Sequence, residues 1–454
     1  MSSKFRKVKL CEILSFKTGK LDSNAAVDNG CYPFFTCSPV TLSINTHAFD
    51  TEAVLLAGNN ANGVFSVKYH NGKFNAYQRT YVITPLDNSA VNVKWLYFRI
   101  KYVTSELQSM SVGTATKFLT KKILDSFEIE LPTFEEQTYQ AQILWALQDK
   151  LANHEAINQT LEQMAQALFK SWFVDFEPVK AKMAALEAGG SQEDATRAAM
   201  TAISGKDADA LVVFAREHPE QYAELKTTAE LFPSAMQDSE QGEIPEGWSL
   251  GNIKNSIDII NGYAFKSPDY TSEGVFVLRT KNFHSNHYVE RLDDDVFLPR
   301  SFLKEYSKYN CEPYDYHMVM VGASIGHSAI IYPHSLPALR NQNMWCFRPK
   351  KTSFVGKAYT KTILDKIIGE LKGFASGSAR EFFRKGDFEN KEIVLANKEL
   401  HDFFEILCFP YIEMQGALCA QSEHLSQLRD TLLPKLLSGE ITLPEAEQII
   451  SEEA

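Results

Sequence analysis

Residues 113–135 read GTATKFLTKKILDSFEIELPTFE, and residues 377–399 read GSAREFFRKGDFENKEIVLANKE. At an offset of 264 residues the two stretches share 8 identities in 23 columns, where ordinary composition gives roughly one or two. The same offset, without a gap, pairs Gly58 with Gly322 and Gln78 with Gln342. A period this long is too large for a solenoid repeat, so the sequence predicts two copies of one module.

The charge of the chain is unevenly distributed along its length. The net charge is −11, yet residues 1–131 carry 15 Lys+Arg against 10 Asp+Glu, and residues 247–395 carry 20 against 16. Residues 183–246 carry 4 against 13, and residues 396–454 carry 3 against 11. Two positive modules in an acidic chain predict two separated contacts with a polyanion such as DNA, the alternative being a chance excess.

Composition points to a soluble protein of the cytoplasm. The hydrophobic content of 44% is ordinary for a globular chain. No apolar run reaches membrane length, and no apolar segment follows the basic start, so no secretory signal is expected. The seven cysteines form no CxxC pair, which fits reduced thiols in a cytoplasm.

Each module is followed by a long helical pattern. Residues 133–173 lack Gly and Pro, and their leucines recur at helical spacing, which predicts a helix of about 38 residues, or roughly 57 Å. The second copy contains Pro410 and Gly416, so a kink or a late start is expected there. Because an apolar stripe must be buried, we expect the two helices to pack antiparallel as an intramolecular coiled coil. The alternative is that each stripe packs on its own module. The expected packing residues are Leu147, Leu151, Leu161, Met164, Leu168, Leu418, Leu425, Leu428 and Leu432.

The predicted fold class is therefore α+β: two similar mixed α/β domains separated by two long antiparallel helices, with a pseudo-twofold repeat. The expected segments are a first module (1–131), a long helix (132–178), an acidic helical insert (179–246), a second module (247–395), a second long helix (396–441) and a tail (442–454).

Motifs for catalysis are absent from the sequence. It has no GxxxxGK[ST] loop, no HExxH, no GxSxG, and no Gly-rich methyl-donor loop or Asn-Pro-Pro-aromatic segment. His284 and His287 have HxxH spacing without a third ligand, which favours a polar loop over a metal site. The run Asp293-Asp294-Asp295 favours an acidic surface turn over a metal site. We therefore expect no metal and no catalytic residue, with a carboxylate nuclease centre as the minor alternative.

Side chains that can bind DNA bases and phosphates lie at matching positions of the two modules. Asn and Gln can pair with adenine edges, Arg with guanine, and Lys or Arg with phosphates. The alternatives are that the repeated glutamines hold a turn and that the cations form a solvated helix face. The candidate DNA-binding residues are Asn59, Asn60, Asn62, Tyr77, Gln78, Arg79, Lys117, Lys121, Lys122, Arg279, Lys281, Asn282, Ser324, His327, Arg340, Asn341, Gln342, Asn343, Arg380, Arg384 and Lys385.

Several phrases resemble the specificity subunit of type I restriction–modification enzymes. The resemblance depends on five segments. They are the repeated GTATKFLT element followed by IELP at 129–132, LFKSWFVDFEP at the end of the first long helix (168–178), GEIPEGW before the second module (242–248), NAYQRTY at 75–81, and LLPKLLSGEI at 432–441. The phrases at 171–178 and 432–441 are specific together, and each alone is weak. The chain departs from the family pattern in the length of its 183–246 insert and in the poor match of Ala396 to Pro132.

The resemblance implies a fold and a function. It implies two target-recognition domains, two antiparallel conserved helices, and binding to a split, asymmetric double-stranded DNA target with one half per domain. It implies two modification subunits that carry S-adenosylmethionine and methylate adenine N6, and two restriction subunits that use ATP and Mg. This chain would hold no cofactor and have no activity alone. A stand-alone DNA-binding or architectural protein, or a nuclease, remains the alternative.

The helix pair is expected to act as a ruler. Half-sites about one helical turn apart, roughly 34–36 Å, lie on one face of the duplex. Lengthening both helices by about one turn should change the unread spacer and leave each recognised half the same. Methylation mapping that finds an unchanged spacer would contradict this expectation.

Overall fold

The computed structural model describes residues 5–60, 65–240, 242–375 and 383–453. The chain forms two compact units: Met1–His154 with Gln421–Ala454 is unit 1, and Glu155–Ala420 is unit 2. Each unit contains one module and part of each long helix.

Unit 1 is built on a six-stranded mixed sheet. Its strands and helices are β1 (Arg6–Lys9), α1 (Leu10–Ile13), β2 (Leu14–Thr18), β3 (Tyr32–Phe35), β4 (Leu42–Ile44), β5 (Phe49–Ala57), β6 (Asn59–Asn60), β7 (Val67–Ala76), β8 (Thr80–Pro85), α2 (Val93–Tyr102), α3 (Thr104–Met110), β9 (Lys117–Phe118), α4 (Lys121–Ser126), β10 (Glu128–Leu131), the start of α5 (Phe134–Phe173), the end of α14 (Lys398–Ser438) and α15 (Leu443–Glu453). The main sheet has the order β2-β8-β5-β7-β3-β4, and β1-β10 and β6-β9 form separate pairs.

Strand β5 is central and buried on both faces. Ala53 and Leu55 pack in one apolar cluster with Phe74. Val54 and Leu56 point the other way and pack with Trp95 and other residues of α2. Since successive side chains of a strand alternate between faces, a continuous apolar run is what a strand covered on both sides requires.

Unit 2 contains the second module and the acidic insert. Its strands and helices are the end of α5, α6 (Glu177–Glu187), α7 (Gln192–Ser204), α8 (Ala208–Glu217), α9 (Pro219–Glu230), β11 (Met236–Gln237), β12 (Ile244–Pro245), β13 (Ser249–Asn252), α10 (Ile253–Ser256), β14 (Ile257–Asn261), β15 (Val275–Leu278), β16 (Phe297–Leu298), α11 (Phe302–Glu305), β17 (Tyr316–Val319), β18 (Ser328–Ile330), β19 (Ala338–Arg340), β20 (Met344–Pro349), α12 (Lys357–Ala375), α13 (Lys385–Glu389), β21 (Glu392–Leu395) and the start of α14. Its larger sheets have the orders β14-β20-β17-β18 and β16-β15-β19, with β13-β21 and β11-β12 as further pairs.

The strand register confirms the repeat and shows where the copies differ in length. Arg6 pairs with Leu131 in unit 1, and Ser249 pairs with Leu395 in unit 2. The offset is therefore 249 − 6 = 243 at the start of the module and 395 − 131 = 264 at its end. Thr18 pairs with Tyr81 and Asn261 with Trp345, which gives the same two offsets. The second module thus has 264 − 243 = 21 additional residues between these points.

In unit 1 the long helices pack antiparallel. Gln140 Nε2 donates to the Leu436 carbonyl at 2.7 Å, and His154 Nδ1 lies 3.0 Å from Ser422 Oγ. The partner number falls as the residue number rises, which defines opposite chain directions. The apolar seam between these polar contacts includes the predicted residues Leu147, Leu151, Leu425, Leu428 and Leu432.

In unit 2 the helices run in the same opposed sense. Gln415 Nε2 donates to the Asn158 carbonyl at 3.0 Å, and the rings of Phe173 and Phe404 lie 5.2 Å apart. Of the predicted packing residues, Leu161 and Leu418 are buried and Leu168 packs at the edge of the core. The prediction for Met164 is wrong: its side chain is 43% exposed, because it lies on the outer face of α5.

Helix α14 runs without interruption from Lys398 to Ser438, so the expected late start is not seen. By length and composition it could cross a membrane, with a window of mean hydropathy 1.2. Its first turns, however, bury Leu400, Phe404, Cys408 and Ile412 in the core of unit 2. This packing accounts for the apolar composition of the helix.

The insert forms a small helical layer with its own apolar centre. Ala199, Met200, Leu211 and Ala229 from α7, α8 and α9 are buried together. Helix α7 begins with a capping box in which Ser191 and Asp194 satisfy each other's backbone N–H groups. The acidic composition of the insert therefore belongs to folded helices with exposed charges.

Candidate nucleic-acid interface

Three segments that are distant in sequence meet at one edge of unit 1. The Gly58 amide donates to the Arg79 carbonyl at 2.8 Å, and the Leu119 amide donates to the Gly58 carbonyl at 2.9 Å. In addition, β6 pairs with β9, which places Asn60 opposite Lys117. The backbone therefore brings the candidate groups around residues 59–60, 77–79 and 117 onto one surface.

The turn at 77–80 presents the most exposed side chains of this surface. The Thr80 amide donates to the Tyr77 carbonyl at 2.9 Å and closes the turn. Gln78 is exposed, and its Nε2 donates to Asp22 Oδ2 at 3.4 Å. The Arg79 guanidinium lies 5.6 Å from the centre of the Phe118 ring, a cation–π contact that holds it at the surface. Among the contacts described, it forms no ion pair with a carboxylate.

Unit 2 repeats the same backbone arrangement. The Met320 amide donates to the Asn343 carbonyl at 3.1 Å, and the Phe383 amide donates to the Met320 carbonyl at 3.1 Å. Asn343 and Phe383 are the 264-residue equivalents of Arg79 and Leu119. The middle partner is Met320, which is two residues before the expected Gly322. The ungapped pairing of Gly58 with Gly322 is therefore corrected: the two loops differ in length around this strand end.

Residues 2–163 match the family model described as type I restriction modification DNA specificity domain. The specificity subunit of the type I restriction enzyme HindI from Haemophilus influenzae is 31% identical over 334 residues, which cover 71% of this chain and 71% of that protein. The chain belongs to the type I restriction–modification specificity subunit family.

Two further similarities agree with this assignment. The EcoDI specificity subunit from Escherichia coli is 42% identical over 164 residues, covering 36% of this chain and 35% of the relative. The crystal structure of the S subunit from M. genitalium is similar in fold, with a TM-score of 0.55, 14% identity and 96% of each chain covered. As a specificity subunit, the chain serves DNA sequence recognition in a restriction–modification system and is not itself catalytic.

The remaining candidate DNA-binding residues of the first module differ in whether their polar groups are exposed or already bound within the protein. Lys122 is exposed, whereas Lys121 Nζ forms an ion pair with Asp125 at 2.7 Å on the same face of α4. Asn59 is half-buried, and its Oδ1 accepts a hydrogen bond from Cys37 Sγ at 2.9 Å. Asn62 lies outside the described residues.

In the second module of this specificity subunit, Ser324, Gln342, Asn343 and Arg384 are exposed. Asn341 is half-buried, and its Oδ1 accepts a hydrogen bond from the Gln342 amide at 2.8 Å, which fixes the start of the turn.

His327 is half-buried, and its Nε2 lies 3.1 Å from the His284 carbonyl. Lys385 Nζ is 3.1 Å from Glu389, an ion pair within one helical turn. Arg380 lies outside the described residues. Ser324, Gln342, Asn343 and Arg384 thus remain the candidate side chains of this module that are best placed to meet a ligand.

The prediction that Arg340 and Asn282 bind DNA is wrong, because both are interior side chains with 0% exposure. The Arg340 guanidinium donates to the carbonyls of Asn261 at 3.2 Å, Asn310 at 2.8 Å and Lys308. Asn282 Nδ2 donates to Asp295 Oδ1 at 2.7 Å. Their hydrogen-bonding groups are used to hold loops together, so neither can read a base edge without unfolding its surroundings.

Two further cations of the second module are bound to the acidic run at 293–295. Arg279 Nη2 donates to the Asp294 carbonyl at 2.8 Å. Lys281 forms an ion pair with the Asp294 carboxylate, and its hydrogen bond lowers the pKa of that group. Asp295 also accepts from Arg291 Nε at 3.0 Å. Asp294 and Asp295 are therefore counter-ions for neighbouring cations. Asp293 and Asp294 are exposed, whereas the Asp295 side chain is only 3% exposed, so the predicted surface turn describes only part of the run.

A buried polar cluster lies behind the sheet of unit 2. Within the described residues, Asp315, His317 and Cys346 are the one group whose ligand-type atoms lie within 4.8 Å of one another. His317 and Cys346 are opposite each other on β17 and β20. Burial lowers the pKa of His317 to about 4, so the ring is neutral at pH 7. The cluster combines a neutral imidazole, a thiol and a carboxylate.

The charges around this cluster oppose a bound dication. Arg348 donates to both oxygens of Asp315, at 2.8 and 2.6 Å, and so neutralises the carboxylate. The guanidinium charges of Arg340 and Arg348 both disfavour a positive charge on His317. A metal ion here would have to displace or tolerate two cations in a buried site, so we interpret the cluster as a structural network.

Residues 19–22, which the sequence pattern did not indicate, also lie against the candidate surface of unit 1. The Gln78 amide donates to the Leu21 carbonyl at 2.9 Å, and Asp22 accepts from the Gln78 side chain. In unit 2, Tyr263 forms the corresponding bridge to Asn341. One sequence feature could have indicated this segment: a glycine follows the second strand of each module, Gly19 in the first and Gly262 in the second. The offset of 264 does not align these two glycines.

Proposed function

We propose that this specificity subunit reads a split, asymmetric double-stranded DNA target, with one half contacted by the surface around Gln78 and the other by the surface around Gln342. The observation that supports this is the repeated three-segment backbone arrangement, which presents a glutamine at the same place in both modules among otherwise different side chains. A shared scaffold with unlike side chains suits two readers of two different short sequences.

We further propose that the chain assembles with two modification subunits and two restriction subunits in the cytoplasm. S-adenosylmethionine would be held by the modification subunits, and ATP and Mg by the restriction subunits, with no cofactor in this chain. Because methyl transfer to adenine N6 requires access to a base inside the stack, the target adenine would be flipped into a pocket of the modification subunit. The role of this chain is then to choose the position on DNA.

The test is adenine-methylation mapping in cells that co-express the full chain with its modification subunit. We expect a split, asymmetric motif with an unread spacer. Gln78→Ala should relax base choice in one half only, and Gln342→Ala in the other half only. The matched control is Gln221→Ala, an exposed glutamine on α9 of the insert, which should leave the motif unchanged.

The other outcomes separate the alternatives. A continuous motif, or two variants that change the same half, would contradict the proposal. DNA binding without any methylation by the co-expressed subunit would favour a stand-alone DNA-binding protein. Metal-dependent cutting by the purified chain would favour a nuclease.

A further inference from the structure

Both modules contain a glycine whose backbone lies directly against the turn that carries the repeated glutamine. Gly19 follows β2, and Gly262 follows β14, its equivalent at 262 − 19 = 243. A Cβ atom added to Gly19 would lie 1.6 Å from the Ala76 carbonyl oxygen, and one added to Gly262 would lie 1.6 Å from the Asn341 carbonyl oxygen. Each obstacle is backbone, so no side-chain rotation can relieve the clash.

The segment after each glycine is hydrogen-bonded to that turn. In unit 1 the Leu21 carbonyl accepts from the Gln78 amide at 2.9 Å, and Leu21 also bridges Tyr77. In unit 2 the Tyr263 amide donates to the Arg340 carbonyl at 3.2 Å, and Tyr263 bridges Asn341. These bonds form only if the two backbones approach closely at the glycine.

The two turns share little else. Tyr77 and Arg79 flank the first glutamine, whereas Asn341 and Asn343 flank the second. The glycine recurs at the offset of 243 and the glutamine at 264, so they lie on opposite sides of the length difference between the modules. Their joint presence in both copies is therefore a property of the folded surface and not of one repeated peptide.

We propose that Gly19 and Gly262 are positioning residues for DNA reading, each setting the height of its glutamine above the module. This inference rests on the proposed function. A Cβ must move from 1.6 Å to at least 3.0 Å from the carbonyl oxygen, a displacement of 3.0 − 1.6 = 1.4 Å. Direct hydrogen bonds tolerate a range of only about 0.5 Å, so a turn displaced that far loses its base contact.

The experiment compares Gly19→Ala and Gly262→Ala in the full chain co-expressed with its modification subunit. Single-turnover methylation is measured on duplexes that carry the mapped target and on duplexes with one base changed in either half. We expect each variant to lose at least about tenfold of its discrimination in one half, at the same base positions as Gln78→Ala or Gln342→Ala respectively. Discrimination in the other half should stay within about twofold and serves as an internal control.

A matched control is Gly369→Ala in α12, where an added Cβ meets no atom within 4 Å. Thermal melting of each complex is recorded in parallel. The inference is overturned if the wild type gives a split motif while both glycine variants keep full discrimination, or lose it equally in both halves. It is also overturned if both variants are insoluble while Gly369→Ala and the glutamine variants are soluble. Absence of a split motif in the wild type would instead refute the proposed function.

Discussion

Position 137 in the first long helix is a glutamine, and its equivalent 401 in the second long helix is a histidine. Gln137 Nε2 donates to the Pro132 carbonyl at 3.0 Å, near the start of α5. His401 Nε2 accepts instead from the Ala396 amide at 3.3 Å, near the start of α14. Equivalent positions of the two helices are thus filled by two different polar side chains, of which only the histidine can be protonated.

Burial lowers the pKa of His401 to about 4, below its ordinary 6.5. Between pH 6.5 and 4 the unfolded chain therefore binds a proton at His401 that the folded chain does not bind. The contribution of His401 to the free energy of unfolding is complete above pH 6.5 and declines as the pH falls toward 4. We expect His401→Gln to make the free energy of unfolding less dependent on pH in this window, by about 1.4 kcal/mol per pH unit at most, and the melting temperature should follow. Melting curves of the full chain from pH 4.5 to 7.5 measure this.

The control is His218→Gln, the same substitution at an exposed histidine of the insert. His317 retains its own contribution in both variants. Equal slopes for His401→Gln and the wild type would show that His401 is not the titrating group.

At the scale of elements, the end of the chain is a helix and not a tail. The Thr442 amide and hydroxyl donate to Glu445 at 2.6 and 2.8 Å and begin α15. Ala446 is fully buried against Leu428, Leu432 and Leu436 of α14. The sequence signal was the Thr442-x-x-Glu445 capping box, but only the folded structure shows which face of this short helix is covered.

We expect Ala446→Glu to destabilise unit 1 by at least about 2 kcal/mol, because a carboxylate would be buried among leucines without a partner. Glu447→Ala changes the exposed neighbouring position and should have little effect. Urea unfolding followed by circular dichroism compares the two variants. Equal midpoints would mean that α15 is not packed as described.

At the scale of the whole molecule, net charge is a poor guide to DNA affinity. The chain carries −11, whereas its first module carries an excess of five Lys+Arg over Asp+Glu. Binding to phosphates depends on local cations, which release counterions and make affinity fall with salt. The exposed Lys122 and Arg384 belong to the positive modules, and Lys226 belongs to the acidic insert.

We therefore expect the DNA affinity of the complex with its modification subunit to fall steeply as salt rises. Lys122→Ala and Arg384→Ala should each reduce the slope of log K against log salt by about one, without changing the recognised motif. Lys226→Ala should leave the slope unchanged. Fluorescence anisotropy over a salt series measures these slopes, and a change caused by Lys226→Ala alone would place the phosphate contact on the insert.

The duplicated module and the two long helices can be predicted from the residues alone, because identities between the copies and helical spacing are visible along the chain without any knowledge of contacts. Which polar residues face outward depends on how distant segments pack, and this became clear only in the folded chain. Arg340 and Asn282 have the same chemistry as Arg79 and Asn60, yet both are buried and their side chains donate hydrogen bonds to neighbouring loops. The two-residue shift at Met320 and the approach of Gly19 and Gly262 to the recognition turns likewise arise from packing between distant segments, which no single offset in the sequence encodes.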